Sequence, residues 1–258
     1  MARSYEKNIA IDYAMRNRLV CSAALIMGSK YTDEAIELAF RGEYIQNVHC
    51  HLNLSLDRNY GKPFVPLNEA YKKSRFCKNG EFASVSYYHA DFLKHAEVVF
   101  QELEAQYLAF KEKTRNQANY LHVDFHNYSN MSPPVAVAYE RLIKKYHIQS
   151  ARFFGEHQTE VREAKKRQLI HAVMMFHWRH CKAYVVKSSR IEYFLVRKER
   201  FQREKIVELF VHPDYRNGML IDKTESLFGN EMKPLEEQIS SIKQLGNIEF
   251  VSWVSLNK

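Results

Sequence analysis

Short apolar runs alternate with amphipathic segments along most of this 258-residue chain, and that alternation limits the folds open to it. Leu19–Met27 is continuously apolar, the pattern of a strand buried on both faces. Val48–Leu54, Leu121–Phe125, Gln149–Phe154, Ile206–Val211 and Ile248–Val254 read as further strands. Between them, helical spacing is expected over Ile9–Arg16, Thr32–Phe40, Tyr88–Lys113, Glu160–His180, Glu192 to about Arg203, and Leu235–Leu245. Thr32 is placed to cap its helix, and Pro133-Pro134 to open another, as proline can in a first turn. The order predicts an α/β fold, a parallel sheet with helices outside it, either open or closed into a barrel. No repeat, low-complexity tract or linker interrupts it, so residues 1–258 are read as one domain.

Composition narrows the function. A hydrophobic fraction of 46% with 13% aromatic residues belongs to a folded globular chain. The net charge is +8, but the basic residues are spread along helices and interleaved with glutamate, as in Arg162-Glu163-Ala164-Lys165-Lys166-Arg167. No basic arm stands apart, so nucleic acid is not the expected partner. Cys21, Cys50, Cys77 and Cys181 include no pair at CxxC spacing and are expected to be reduced thiols. The first residues lack an apolar signal region and no stretch is apolar enough to cross a bilayer. The expectation is a cytoplasmic protein with no membrane partner.

Three strand ends carry histidines: Val48-His49-Cys50-His51-Leu52-Asn53-Leu54, Val123-Asp124-Phe125-His126 and Phe210-Val211-His212-Pro213-Asp214. Strand ends are where β/α enzymes do their chemistry. Imidazoles are common ligands for catalytic divalent metals, which acidify a water and polarise a carbonyl. Amide hydrolysis also requires a base for the water and an acid for the departing amine. We therefore take His51 and His126 as metal ligands, His212 as the acid, and Asp124 as a carboxylate orienting a neighbouring histidine. His171, His177 and His180 share one predicted helix without an acidic partner, and helix packing accounts for them better. Tyr87-Tyr88, Phe153-Phe154 and Phe176-His177-Trp178 could stack on sugar rings, although aromatic side chains more often fill cores. No phosphate-cradling loop or nucleophile elbow occurs.

These residues resemble motifs of the YdjC/ChbG (HpnK-like) family of carbohydrate deacetylases. Asn47 to Leu54 with Lys62-Pro63 resembles its Gly-(Leu/Val)-His-Leu-x-Leu segment. Glu102-Leu103-Glu104-Ala105-Gln106 resembles its Glu-x-x-Ala-Gln helix, and Asp124 to Pro133 its Asp-Ser-His-x-His-x-His-x-x-Pro stretch. Ser150-Ala151-Arg152 and Val211-His212-Pro213 resemble a strand ending in arginine and a late His-Pro motif.

The resemblance implies a distorted, TIM-like β/α barrel, a homodimer, and removal of an acetyl group from N-acetylated mono- or oligosaccharides. It implies a divalent metal, Mg or Zn, held by one aspartate and two histidines. Those histidines fall on His51 and His126, the acid-base histidine on His212, and Arg152 would line the substrate site. Two departures stand out. Tyr128 and Asn130 replace histidines of the later motif, and the opening Ala-Asp-Asp-Phe-Gly motif, with its strand and metal aspartate, is not in this sequence. The expectation is that the working enzyme starts upstream of Met1. The alternative is a carbohydrate-binding protein without catalysis.

Overall fold

The computed structural model describes residues 1–55, 64–83, 95–126, 132–155, 184–223, 233–246 and 248–256. Its centre is a six-stranded sheet in the order β1 (Ala23–Leu25), β2 (Val48–Leu52), β5 (Asn119–Phe125), β6 (Ser150–Gly155), β7 (Tyr184–Arg190) and β8 (Val207–Phe210). Every pairing in it is parallel. Two short antiparallel pairs lie outside it: β3 (Cys77–Lys78), preceded by the short helix α3 (Glu69–Lys72), with β4 (Glu81–Phe82), and β9 (Pro213–Arg216) with β10 (Met219–Asp222). Among the described residues, β1 and β8 have a sheet neighbour on one side only.

The alternation of side chains along a strand sorts the sheet into an apolar and a polar face. Cys50 and Leu52 of β2, with Val123 and Phe125 of β5, enter the larger core. There they meet Val99, Leu103, Tyr107 and Phe110 of α4 (Ala96–Lys113) and Ala138, Tyr139 and Leu142 of α5 (Pro133–Lys145). Tyr139 is fully buried and donates its hydroxyl to the Val123 carbonyl at 3.1 Å, which satisfies its one polar atom inside the core. The intervening residues, His49, His51, His122, Asp124 and His126, form the polar side. A smaller core joins Ala10 and Ala14 of α1 (Tyr5–Arg16) to Ile191 and Phe194 of α6 (Ile191–Val196) and Leu235, Ile239 and Ile242 of α7 (Leu235–Lys243).

Several sequence expectations shift. β1 is three residues long rather than nine, because the ladder takes in only Ala23–Leu25 and the flanking Ser22 and Ile26 lie outside it. Thr32 opens α2 (Thr32–Arg41) but does not cap it; its hydroxyl donates to the Ile26 carbonyl at 3.1 Å and accepts from Ser29 N–H, while Tyr31 occupies the cap position. The segment Ile248–Val254 is not a strand. Among the described residues it has no ladder partner, and it ends in the short helix α8 (Trp253–Leu256) with Ile248 and Val251 exposed. β7 and the β9–β10 hairpin were not anticipated. Asn217-Gly218 links the latter with φ of +52° and +76°, the left-handed pair that a tight hairpin turn requires. The expected helix Glu160–His180 lies outside the described residues, as do Tyr87-Tyr88, Tyr128, Asn130 and Cys181, and nothing is described of the Phe153 and Phe154 side chains.

Candidate active site

Parallel pairing sets His51 beside Asp124 in register, so the two face the same side at the same level. A clamp fixes the end of β2 that carries His51. Gln106 of α4 accepts from Asn53 N–H at 2.9 Å and donates to Asn53 O at 2.7 Å. Glu102, one turn earlier, accepts from Gln106 at 2.8 Å and from the backbone N–H groups of Leu67 and Asn68. Asn53, Gln106 and Glu102 are buried, so the bonds among them form where water cannot replace them. Burial raises the Glu102 carboxyl to about 7 against the lowering effect of those donors.

The histidines follow from that frame. His51 Nδ1 lies 2.5 Å from Asp124 Oδ1, and His51 Nε2 lies 3.2 Å from His126 Nδ1. Arg152 Nη2 stands 2.9 Å from Asp124 Oδ2 and 2.7 Å from Glu208 Oε1, while its Nε is 2.6 Å from Glu208 Oε2. Burial alone would neutralise Asp124, but His51, the Arg152 guanidinium and His49 hold it well below the usual carboxylate range. His51 is lowered to about 3, first by burial and against the pull of Asp124. The consistent assignment is an ionised Asp124 accepting from a neutral His51 at Nδ1, which turns the Nε2 lone pair toward His126.

The fourth candidate comes from beyond β8. His212 precedes the β9–β10 hairpin, and its backbone N–H donates to Asp222 Oδ1 at 2.9 Å. Asp214 of β9 is paired with Lys7 of α1 at 3.6 Å and Lys223 at 3.2 Å, which ties the hairpin to the body. The His212 ring keeps 45% of its surface open, facing a concave wall. The concave wall and the nearby charges of Arg3, His126, Lys7 and Arg152 lower it below the usual imidazole range.

All five expected site residues, His51, Asp124, His126, Arg152 and His212, line one cavity of about 270 Å³. Phe210, Phe250 and Trp253 line it too. Arg152 is less a free substrate contact than expected, since its guanidinium spans Asp124 and Glu208 and only 11% of the side chain is exposed. Sequence reasoning missed three further polar residues. His49, His122 and Glu208 bring ligand atoms within 4.8 Å of one another and could hold a metal ion. The signal was available for two of them: His49 is two residues before His51 and His122 two before Asp124, so strand alternation turns them to the same side.

Residues 1–239 match the family described as YdjC-like protein. The chain belongs to the YdjC-like family. A solved structure from Enterococcus faecalis V583, provisionally titled a cellobiose-phosphate cleavage protein, shares the fold of this YdjC-like chain with a TM-score of 0.66 at 17% identity. The superposition covers 99% of this chain and 95% of that one. No curated protein matches. Among the described residues of this family member, no helix is long and apolar enough to cross a membrane.

Proposed function

We propose that this YdjC-like protein is a metal-dependent hydrolase that removes an acetyl group from N-acetylated mono- or oligosaccharides. The observation that carries the reading is the pairing of His51 and His126. Two nitrogens bound to one tetrahedral ion at the usual distances lie about 3.3 Å apart, and His51 Nε2 and His126 Nδ1 are 3.2 Å apart. The remaining His51 nitrogen is engaged by Asp124, the carboxylate–histidine arrangement that fixes a ligand's tautomer and raises its basicity. The residues present therefore fit a divalent cation, and imidazole ligands favour zinc, cobalt or manganese over magnesium. A cation held there would supply a Lewis acid for the acetyl carbonyl and lower the pKa of a water.

The chain's own residues supply the rest of the chemistry. Asp124 keeps His51 aimed, and Arg152 keeps Asp124 ionised. His212 rests neutral, so the proton it delivers to the departing amine is one it first takes up during the reaction. Phe210, Phe250 and Trp253 give the cavity apolar walls suited to the C–H faces of a sugar ring. The neighbour's title, with its sugar phosphate, is consistent with a carbohydrate substrate. The same cavity touches β1, β8 and residues 248–251, which supports reading the sheet as curved toward a distorted barrel with the C-terminal segment across the gap. The described cysteines Cys21, Cys50 and Cys77 are free, in keeping with a cytoplasmic location.

A second reading, a sugar-binding protein without turnover, rests on Asp124. The carboxylate nearest the histidine pair is committed to His51 and Arg152 rather than presented to an ion. Incubation with N-acetylated chito-oligosaccharides plus zinc or cobalt, followed by acetate assay, separates the two. Acetate release abolished by chelation supports the hydrolase. Saturable sugar binding without acetate supports the binding protein.

A further inference from the structure

We propose that His49, His122 and Glu208 form a second divalent-cation site, distinct from the His51–His126 pair. Buried polar atoms in a folded protein are almost always hydrogen-bonded, and clustered exceptions call for a ligand. Both ring nitrogens of His49 and Nε2 of His122 are buried without a hydrogen-bond partner among the described residues. One nitrogen of each ring can face the cluster: the two rings meet edge to face at 4.6 Å, His122 Nε2 is 3.9 Å from Glu208 Oε1, and His49 Nε2 lies 3.4 Å from Asp124 Oδ2. His49 is 3% exposed, His122 is fully buried, and the Glu208 side chain is 8% exposed.

The surroundings are built as those of a ligand set. His122 Nδ1 is 2.9 Å from Ser150 Oγ, and its ring stacks on Trp253 at 3.8 Å and 11°. That fixes the ring and leaves Nε2 facing Glu208, as an outer hydrogen bond does for a metal-binding histidine. Arg152 grips both oxygens of Glu208, but each carboxylate oxygen has a second lone pair, so the guanidinium can orient the carboxylate while one oxygen binds an ion. His49 and Glu208 line the cavity, which provides the way in. The ligand atoms, within 4.8 Å of one another, must close toward the roughly 3.3 Å of a tetrahedral set. Closing that difference takes rotations of the imidazoles as well as of the Glu208 side chain. Two imidazoles and one carboxylate suit zinc or cobalt rather than calcium or magnesium.

The test uses the full chain and cobalt(II) alone, read by its visible absorption and by calorimetry. The His51→Ala/His126→Ala double variant should still bind about one cobalt per chain, and adding His49→Gln or His122→Asn should weaken that binding by about ten- to a hundredfold. A double variant that binds no cobalt, or whose binding ignores both further substitutions, overturns the site. If a substitution unfolds the chain by circular dichroism, the unmodified protein decides. Two cobalt ions, one lost in His126→Ala, support the proposal; a single ion lost entirely in His126→Ala overturns it.

Discussion

His49 and His51 stand two residues apart on one strand, and the structure treats them in opposite ways. His51 is held at both nitrogens, by Asp124 on one side and His126 on the other. His49 makes an edge contact with His122 and comes within 3.4 Å of Asp124, but neither of its ring nitrogens completes a hydrogen bond among the described residues. The outer pair is thus pre-organised by hydrogen bonds, whereas His49 of the inner cluster is held by ring and ion-pair contacts. Asp124 stands between the two, with Oδ1 on His51 and Oδ2 toward His49 and Arg152. Strand alternation explains why both histidines face this side. What separates their roles is the neighbouring strand, which puts a hydrogen-bonding carboxylate opposite one and another imidazole beside the other.

The largest expected effect follows from that contrast. His126→Ala or His51→Ala should cut metal-dependent deacetylation by at least about a thousandfold, as loss of a metal's action on the carbonyl implies. His49→Gln should leave the same rate within about tenfold. Steady-state kinetics on all three variants would erase the comparison if His49→Gln were as damaging as His126→Ala. Next in size is Asp124→Asn, which keeps the shape but presents an amide where His51 requires an acceptor. Metal affinity should fall by about ten- to a hundredfold. Because Arg152 keeps its Glu208 partner, the stability loss should stay at about 1–3 kcal/mol, that of a buried group left without its charged acceptor. Calorimetric metal titration and urea unfolding would check each part, and unchanged affinity would remove Asp124 from the orienting role.

Smaller effects test the frame behind β2. Gln106→Ala strips both backbone bonds from Asn53, and chemical unfolding should show a loss of about 1–3 kcal/mol for each buried group left unpaired. The smallest prediction concerns Glu102. Its folded pKa of about 7 lies above its unfolded value of about 4.3, so the folded chain holds the extra proton between those limits. That contribution is complete below the unfolded value and fades as pH rises toward 7. Glu102→Gln should therefore gain stability relative to wild type between pH 5 and pH 8, measured by thermal melts at matched ionic strength. A constant difference would mean that the three N–H donors keep Glu102 ionised throughout.

Much of the frame was legible in the sequence, for physical reasons that can be named. β5, β6 and β8 lie close to their expected spans because buried parallel strands are short apolar runs. The strand ends bearing His51, Asp124, His126 and His212 converge because parallel strands share a direction. β7 was passed over although Tyr184-Val185-Val186 carries the β-branched and aromatic signature of a strand. The hairpin was passed over although Asn217-Gly218 is a strong turn signal. Ile248–Val254 misled because its apolar residues follow a strand pattern, while among the described residues the segment pairs with no strand. Glu208 could not have been assigned from sequence alone. Only the order β6-β7-β8 brings it to Arg152, 56 positions earlier in the chain.

The most direct test of the account is acetate release from an N-acetylated chito-oligosaccharide by the purified chain, compared across metal-free protein, zinc- or cobalt-supplemented protein, and supplemented His126→Ala. The account predicts turnover in the supplemented wild type alone. Equal acetate release from metal-free protein, or from His126→Ala, would contradict it.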